Sequence, residues 1–186
     1  MKKIYILLIP AFLTLTTYAQ KPTPVIKAGT IINMVVTDNG IIVPVSITIK
    51  NTGDTLNLAW AETKAYANTK SYYTDRITRY FTQPHKEGVA SQRFQNDETF
   101  VSVSRAMYKR FLNSHKKTLT YQGVLYLNAM ERDSNFNLQG RFINATYMAS
   151  KDQKYKMWVL DYPAFPLILQ TTNPLLGISY KVISIN

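Results

Sequence analysis

His85 and His115 are the two histidines of this chain, so any metal chemistry starts with them. They stand thirty residues apart, and neither has a second ligand two to four positions away. A zinc site needs several preorganised ligands, so both histidines read as surface residues. Ser114 and His115 are neighbours, which on a helix point apart and give no triad geometry. No G-x-S-x-G elbow is present. Glu131 and Asp133 share a polar turn beside Arg132, and Asp97-Glu98 precede a β-rich run. Carboxylates that cut a glycoside must face each other across a cleft, which a sequence does not show, and these read as turn residues. Seven glycines form no phosphate-binding loop. The sequence therefore predicts no catalytic residue, no metal and no other cofactor, and a hydrolytic enzyme is the least favoured of three functional readings.

Aromatic rings are the remaining chemistry. Thirteen tyrosines, eight phenylalanines and two tryptophans make up 12% of the chain. Exposed rings stack on sugars or line lipid grooves, whereas buried rings fill a β core. Both readings stand at this point. Tyr66, Tyr72, Tyr73, Tyr80 and Phe81 crowd one segment and, with Trp158, form the candidate ligand surface.

The elements that must position these residues begin after a leader. Lys2 and Lys3 precede an apolar stretch from Ile4 to Leu15, and Thr17-Tyr18-Ala19 supplies small residues at −3 and −1. That is the pattern of a secretory signal over residues 1–19, cut after Ala19, and its apolar stretch is too short to span a bilayer. Periplasm or exterior is the expected address, and nucleic acid is excluded as a partner. The mature chain would run from Gln20 to Asn186, with its formal charge lowered from +11 to +9. With no cysteine, it has neither disulfides nor a lipidated N-terminus. Basic residues gather at Arg105, Lys109, Arg110, His115, Lys116 and Lys117, and again at Lys151, Lys154 and Lys156. They suit a solvated surface or an acidic partner.

Hydrophobic content of 46% argues for a packed globule. Residues 20–29, with Pro22, Pro24 and Gly29, read as a flexible lead-in to one β-rich domain over 30–186. Asn39-Gly40 between Ile31–Asp38 and Ile41–Lys50 predicts a hairpin with a primed turn. Pro44 places the second strand at a sheet edge or a bulge. A turn at Asn51–Asp54 and alternation of Leu56, Leu58 and Trp60 add a third strand, completing an antiparallel meander.

Residues 61–97 fit helix and strand equally, with a loop over 83–95. Phe100–Val103 reads as a short strand, and Ser104 as the N-cap of a helix over 104–116 whose apolar stripe is Met107, Tyr108, Phe111 and Leu112. Leu119, Tyr121, Leu125 and Leu127 share one parity. The apolar parity changes between Phe136, Leu138, Phe142 and Ile143, Ala145, Tyr147, which predicts a bulge. Strands over 155–161, 167–171 and 175–185 follow, several apolar on both faces, which calls for a helix, a second sheet or a ligand over each. Asn144-Ala145-Thr146 fits the glycosylation pattern but reads as ordinary strand. The fold class is α+β, a mainly antiparallel meander or half-barrel with one short helix packed on it.

Met157-Trp158-Val159-Leu160-Asp161-Tyr162-Pro163, then Phe165-Pro166-Leu167-Ile168-Leu169 and a strand to Ile185, is similar to the final strands of outer-membrane lipoprotein-carrier-like folds. It also resembles uncharacterised secreted bacterial β-rich envelope proteins with a W-x-L-x-x-P-x-x-P-L passage. The resemblance covers 157–185 and carries over no binding residue. It implies a half-barrel wrapped around one helix and holding acyl chains. The leading expectation is thus a non-enzymatic envelope protein binding a hydrophobic small molecule or lipid between helix and sheet. The alternative is an interaction or adhesion module that meets an envelope protein or acidic polymer through a sheet edge or basic face.

Overall fold

Three strand pairs among the described residues are joined across two positions each, and only one of these turns carries the usual Asn-Gly signal. A computed structural model describes residues 23–38, 40–52, 56–62, 101–128, 135–173 and 178–186. In it, β1 (Ile31–Asp38) pairs with β2 (Ile41–Thr52) from Asp38↔Ile41 onward, with Gly40 at φ 85° in the turn. The parity change around residue 140 is not a bulge. Gln139 and Gly140 have φ 52° and 76° and close a hairpin between β6 (Asn135–Leu138) and β7 (Arg141–Ala149). Likewise, Gln122 and Gly123 at φ 47° and 76° break the run over 119–127 into β4 (Thr118–Tyr121) and β5 (Val124–Asn128). Consecutive left-handed residues match the twist of paired strands. Leu119 and Tyr121 therefore share the core with Tyr126, while Leu125 turns outward, 54% exposed.

β3 (Leu56–Glu62), β8 (Lys156–Leu160), β9 (Ile168–Asn173) and β10 (Ile178–Ile185) complete a ten-stranded sheet ordered β3-β2-β1-β10-β9-β8-β7-β5-β4, with β6 on β7. Each of these strand pairs is antiparallel. The fold is α+β, a single sheet with one short helix among the described residues. The leader, Tyr66 to Phe81, the loop at 83–95, Phe100 and the turn at Glu131 lie outside the described residues, as do Gly53 and Asp54 of the second turn.

Pro44 does not mark an edge, because β2 lies between β1 and β3. Ile49 donates its N–H to Thr30 on the β1 side, so by alternation the even residues of β2 face β3. The N–H that Pro44 lacks would therefore point to the β3 side, next to the Val45↔Glu62 pair.

α1 (Arg105–Asn113) is shorter than the predicted 104–116. Ser104 caps it by accepting from Met107 N (3.3 Å), and an extended Ser114 ends it, donating its N–H to Phe111 O at 3.2 Å. The stripe is as expected: Tyr108 and Phe111 are buried, with Met107 and Leu112 half-buried. Lys117 returns its Nζ to the Leu112 carbonyl at the negative helix end.

One face of the sheet is the core: Ile32, Met34 and Val36 of β1, Val45, Ile47 and Ile49 of β2, Tyr180 and Val182 of β10, Met157 and Val159 of β8. Each such side chain contributes roughly 1.5–3 kcal/mol on burial. The two-sided apolar strands are covered by the chain itself. Leu160, Leu167, Ile168 and Leu169 are all buried, and the stretch carrying Val101 and Val103 lies along them through Val103 N to Pro166 O (3.0 Å) and Ile168 N to Val101 O (2.8 Å). That stretch is no strand; only Ser102 forms a bridge, to Leu167. Residues 23–29 are fastened too, since Ile26 is buried and Gly29 N donates to Ile49 O at 2.8 Å. No helix among the described residues is long and apolar enough to cross a membrane.

The hairpin turns make a direct stability test. A Cβ on Gly140 would meet nothing within 4 Å, so Gly140→Ala adds backbone strain alone. It should lower stability by about 1 kcal/mol, and Gly140→Asn by less, because Asn tolerates the left-handed region. Urea titration with an unchanged slope measures both.

Candidate functional site

The space expected to hold a ligand, between helix and sheet, is occupied by Tyr108 and Phe111, whose rings stack at 5.8 Å. The Tyr108 hydroxyl donates to Asp161 Oδ1 (3.2 Å) and lies 3.4 Å from Thr146 Oγ1. Burial, reinforced by the Asp161 carboxylate, pushes the hydroxyl well above the ordinary tyrosine range, while the Thr146 bond acts the other way. A neutral, hydrogen-bonded phenol here anchors α1 to β7 and the end of β8.

Of the candidate ligand surface, Tyr66, Tyr72, Tyr73, Tyr80 and Phe81 are outside the described residues, and Trp158 is placed. It stands half-buried on β8, on the face opposite the core. Its register partners are Tyr147 on β7 and Gln170 on β9, and Gln170 pairs in turn with Lys181 on β10. Paired residues of antiparallel strands share a face, so Tyr147, Trp158, Gln170 and Lys181 form one row across four strands. The Tyr147 and Trp158 rings are 5.1 Å apart and tilted by 47°. Both are half-buried, so each keeps part of its surface in water.

The β6–β7 hairpin lies across this face and walls the row. β7 pairs with β6 through Asn144 and with β8 from Ala145, so its first half leaves the sheet and carries β6 over it. Phe136 of β6 is buried with its centroid 5.8 Å from that of Trp158, and Lys181 Nζ sits 5.8 Å above the Phe136 ring. That cation–π contact holds the ammonium beside the row. Tyr147, Gln170, Lys181 and Phe136 were missed from sequence. Gln139-Gly140 was the available signal for the hairpin; nothing local places β10 beside β9 and β1.

A second surface lies where the β4–β5 turn meets the β7–β8 connection. Gly123, Val124, Leu125, Ser150, Lys151, Asp152 and Tyr155 border a wide-mouthed depression of about 600 Å³. Its outer lip is rigid: Ser150 Oγ donates to Asp152 Oδ1 (2.6 Å), and Tyr155 N donates to Ser150 Oγ (3.1 Å). The Ser150 bond, followed by the Lys154 N–H, holds the Asp152 carboxyl below its usual range. So broad a mouth strips little water from a small molecule, which makes this the weaker site.

The polar residues weighed for chemistry do not converge among the described residues. His115 is exposed in the turn after α1, and the Ser114 hydroxyl accepts the Lys116 N–H at 3.3 Å. No group of three or more His, Asp or Glu side chains forms there. His85, Glu131 and Asp133 are outside them, and Asn144 is half-buried in β7 opposite Asn135. No protein-family model, curated protein or solved structure matches the chain.

Tyr126, on β5 near the depression, has its hydroxyl pushed up from 10.0 to about 12, first by burial and then by Tyr155. Because the folded state keeps this proton longer than the unfolded chain, its contribution is complete below pH 10 and is lost as pH rises towards 12. Stability measured by urea titration should therefore fall across that window, and Tyr126→Phe should make the fall shallower.

Proposed function

We propose that the chain is an exported, non-enzymatic protein of a bacterial envelope that binds an amphipathic ligand over Tyr147 and Trp158. The observation that carries this reading is the water-facing ring pair, walled by the β6–β7 hairpin and continued by an amide and an ammonium. Rings gain from covering an apolar surface, and Gln170 and Lys181 offer hydrogen bonds and charge to its polar edge. The row holds no carboxylate, histidine or hydroxyl nucleophile beside a base, so its chemistry is recognition and not turnover. The leader pattern of residues 1–19, with its Lys2-Lys3 start, supports export. Relocating the ligand from the helix–sheet interior to the second face follows from the packing of Tyr108 and Phe111.

A second reading, an acidic partner protein, is favoured by α1, which exposes Arg105, Lys109 and Arg110 and has no acid in its first turn. Crosslinking in envelope extract would retain a partner more strongly than a charge-matched control does, and Lys109→Glu with Arg110→Glu would release it.

The ring-pair reading is tested with indole N–H resonances of the 15N-labelled chain. Trp158 and Trp60 give separate signals, and β3, which carries Trp60, lies at the far end of the strand order. Octyl glucoside or laurate should shift the Trp158 signal selectively, and Trp158→Ala should weaken binding by about fivefold or more. A Trp158 signal that ignores both probes and every sugar polymer tried removes the reading.

A further inference from the structure

We infer that the ligand of this row is an acidic oligosaccharide lying across β7, β8, β9 and β10; the inference rests on the ring-pair reading and narrows it to one chemical class. Neighbouring strands lie about 4.8 Å apart, so the row from Tyr147 to Lys181 is roughly 14 Å long, which suits an extended ligand. Along it the chemistry changes in order: ring, ring, amide, ammonium. Pyranose rings carry an apolar face of C–H groups and an equatorial rim of hydroxyls. The two aromatic rings match the face, Gln170 can both donate to and accept from the rim, and Lys181 offers a charge-assisted bond to a carboxylate.

The adjoining row is short-chained except at Lys156. Ala149, Lys156, Thr172 and Ser179 pair across the same four strands on the same face. Ala149 is buried and Thr172 and Ser179 are half-buried, so the rings stand above a low floor that bears two hydroxyls towards the β9–β10 end. Lys156 and Lys181 are both exposed, and these eight positions hold no carboxylate. That charge balance favours an acidic sugar over a neutral one. Lys181 is also held in place, since its ammonium rests on the Phe136 ring at 5.8 Å. A fatty acyl chain fits the row less well. It would meet two rings and then Gln170 and Thr172, which an alkyl chain would desolvate without replacing their hydrogen bonds.

Titrations with four probes separate the outcomes: short oligogalacturonate, maltooligosaccharide, laurate and dextran sulfate, each followed by the Trp158 indole signal and by calorimetry. Oligogalacturonate should shift Trp158 and bind at least fivefold more tightly than maltooligosaccharide. Lys181→Gln should weaken it by roughly tenfold and flatten its salt dependence, with Lys156→Gln acting in the same direction. Both lysines are exposed, so circular dichroism should match the parent chain. Trp158→Phe, which keeps a stacking ring, should bind better than Trp158→Ala. If laurate shifts Trp158 and oligogalacturonate does not, the sugar assignment fails while the amphipathic-ligand reading survives. If no probe shifts Trp158, both fail. Equal binding of the acidic and neutral oligosaccharides overturns the acidic specificity. Dextran sulfate binding as tightly as oligogalacturonate, with no dependence on Trp158, reduces the face to bulk charge and overturns the inference.

Discussion

The structure depends on the pairing of β1 with β10. It joins the first strand to the last and turns two antiparallel ribbons into one sheet. Ile31 and Asn186 exchange both backbone bonds, at 2.8 and 2.9 Å. On the core face Met34 lies opposite Val182, and Val36 opposite Tyr180. Bringing together Asn33 and Ser184, 151 residues apart, costs about 4 kcal/mol in loop closure. Two pairs of fully buried apolar side chains, each contributing roughly 1.5–3 kcal/mol, outweigh that. A polar chain on the opposite face reinforces the seam: Ser46 Oγ donates to Asn33 Oδ1 at 2.6 Å, and Asn33 Nδ2 to Ser184 Oγ at 2.8 Å. It sits where the β1–β10 register shifts, between Asn33 and Met34, so side-chain bonds support the ladder at the point where it is least regular.

The same seam creates the proposed ligand face. Lys181 belongs to the row only because β10, once paired with β1, also pairs with β9 and through it reaches β8 and Trp158. The wall has a separate origin. β7 changes partner between Asn144 and Ala145, so the hairpin leaves the sheet plane and carries Phe136 onto Trp158. A half-buried tryptophan between a flanking ring and a wall has restricted rotamers before any ligand arrives. Binding there loses less side-chain entropy than binding to free rings would. The helix contributes differently: Tyr108 and Phe111 fill the opposite face, and the Tyr108 bond to Asp161 fixes the chain where β8 ends. The two faces thus divide their tasks, one closed by packing and one partly open to water.

Period-two patterning of Ile31–Lys50 around Asn39-Gly40, the alternation at Leu56–Trp60, the Ser104 cap and the Tyr108/Phe111 stripe were all legible in the chain, because each depends on neighbours within a few residues. Local rules alone decide whether a turn accepts positive φ or a helix buries one stripe. The Gln-Gly turns were harder to read. Glutamine is a less common left-handed residue than asparagine, so Gln122 and Gln139 gave weak signals, and a hairpin passed for a bulge. The position of Pro44 was undecidable locally, since only the strand order shows β2 flanked on both sides, by β1 and β3. Trp158 was recognisable as a notable ring, yet its companions Tyr147, Gln170 and Lys181 were not. They come from three other strands, and which strands become neighbours depends on the burial of core residues more than a hundred positions apart. Local pattern set which residues turn, cap and alternate; long-range packing chose the partners, because apolar burial rewards whatever contacts close the core without regard to distance along the chain.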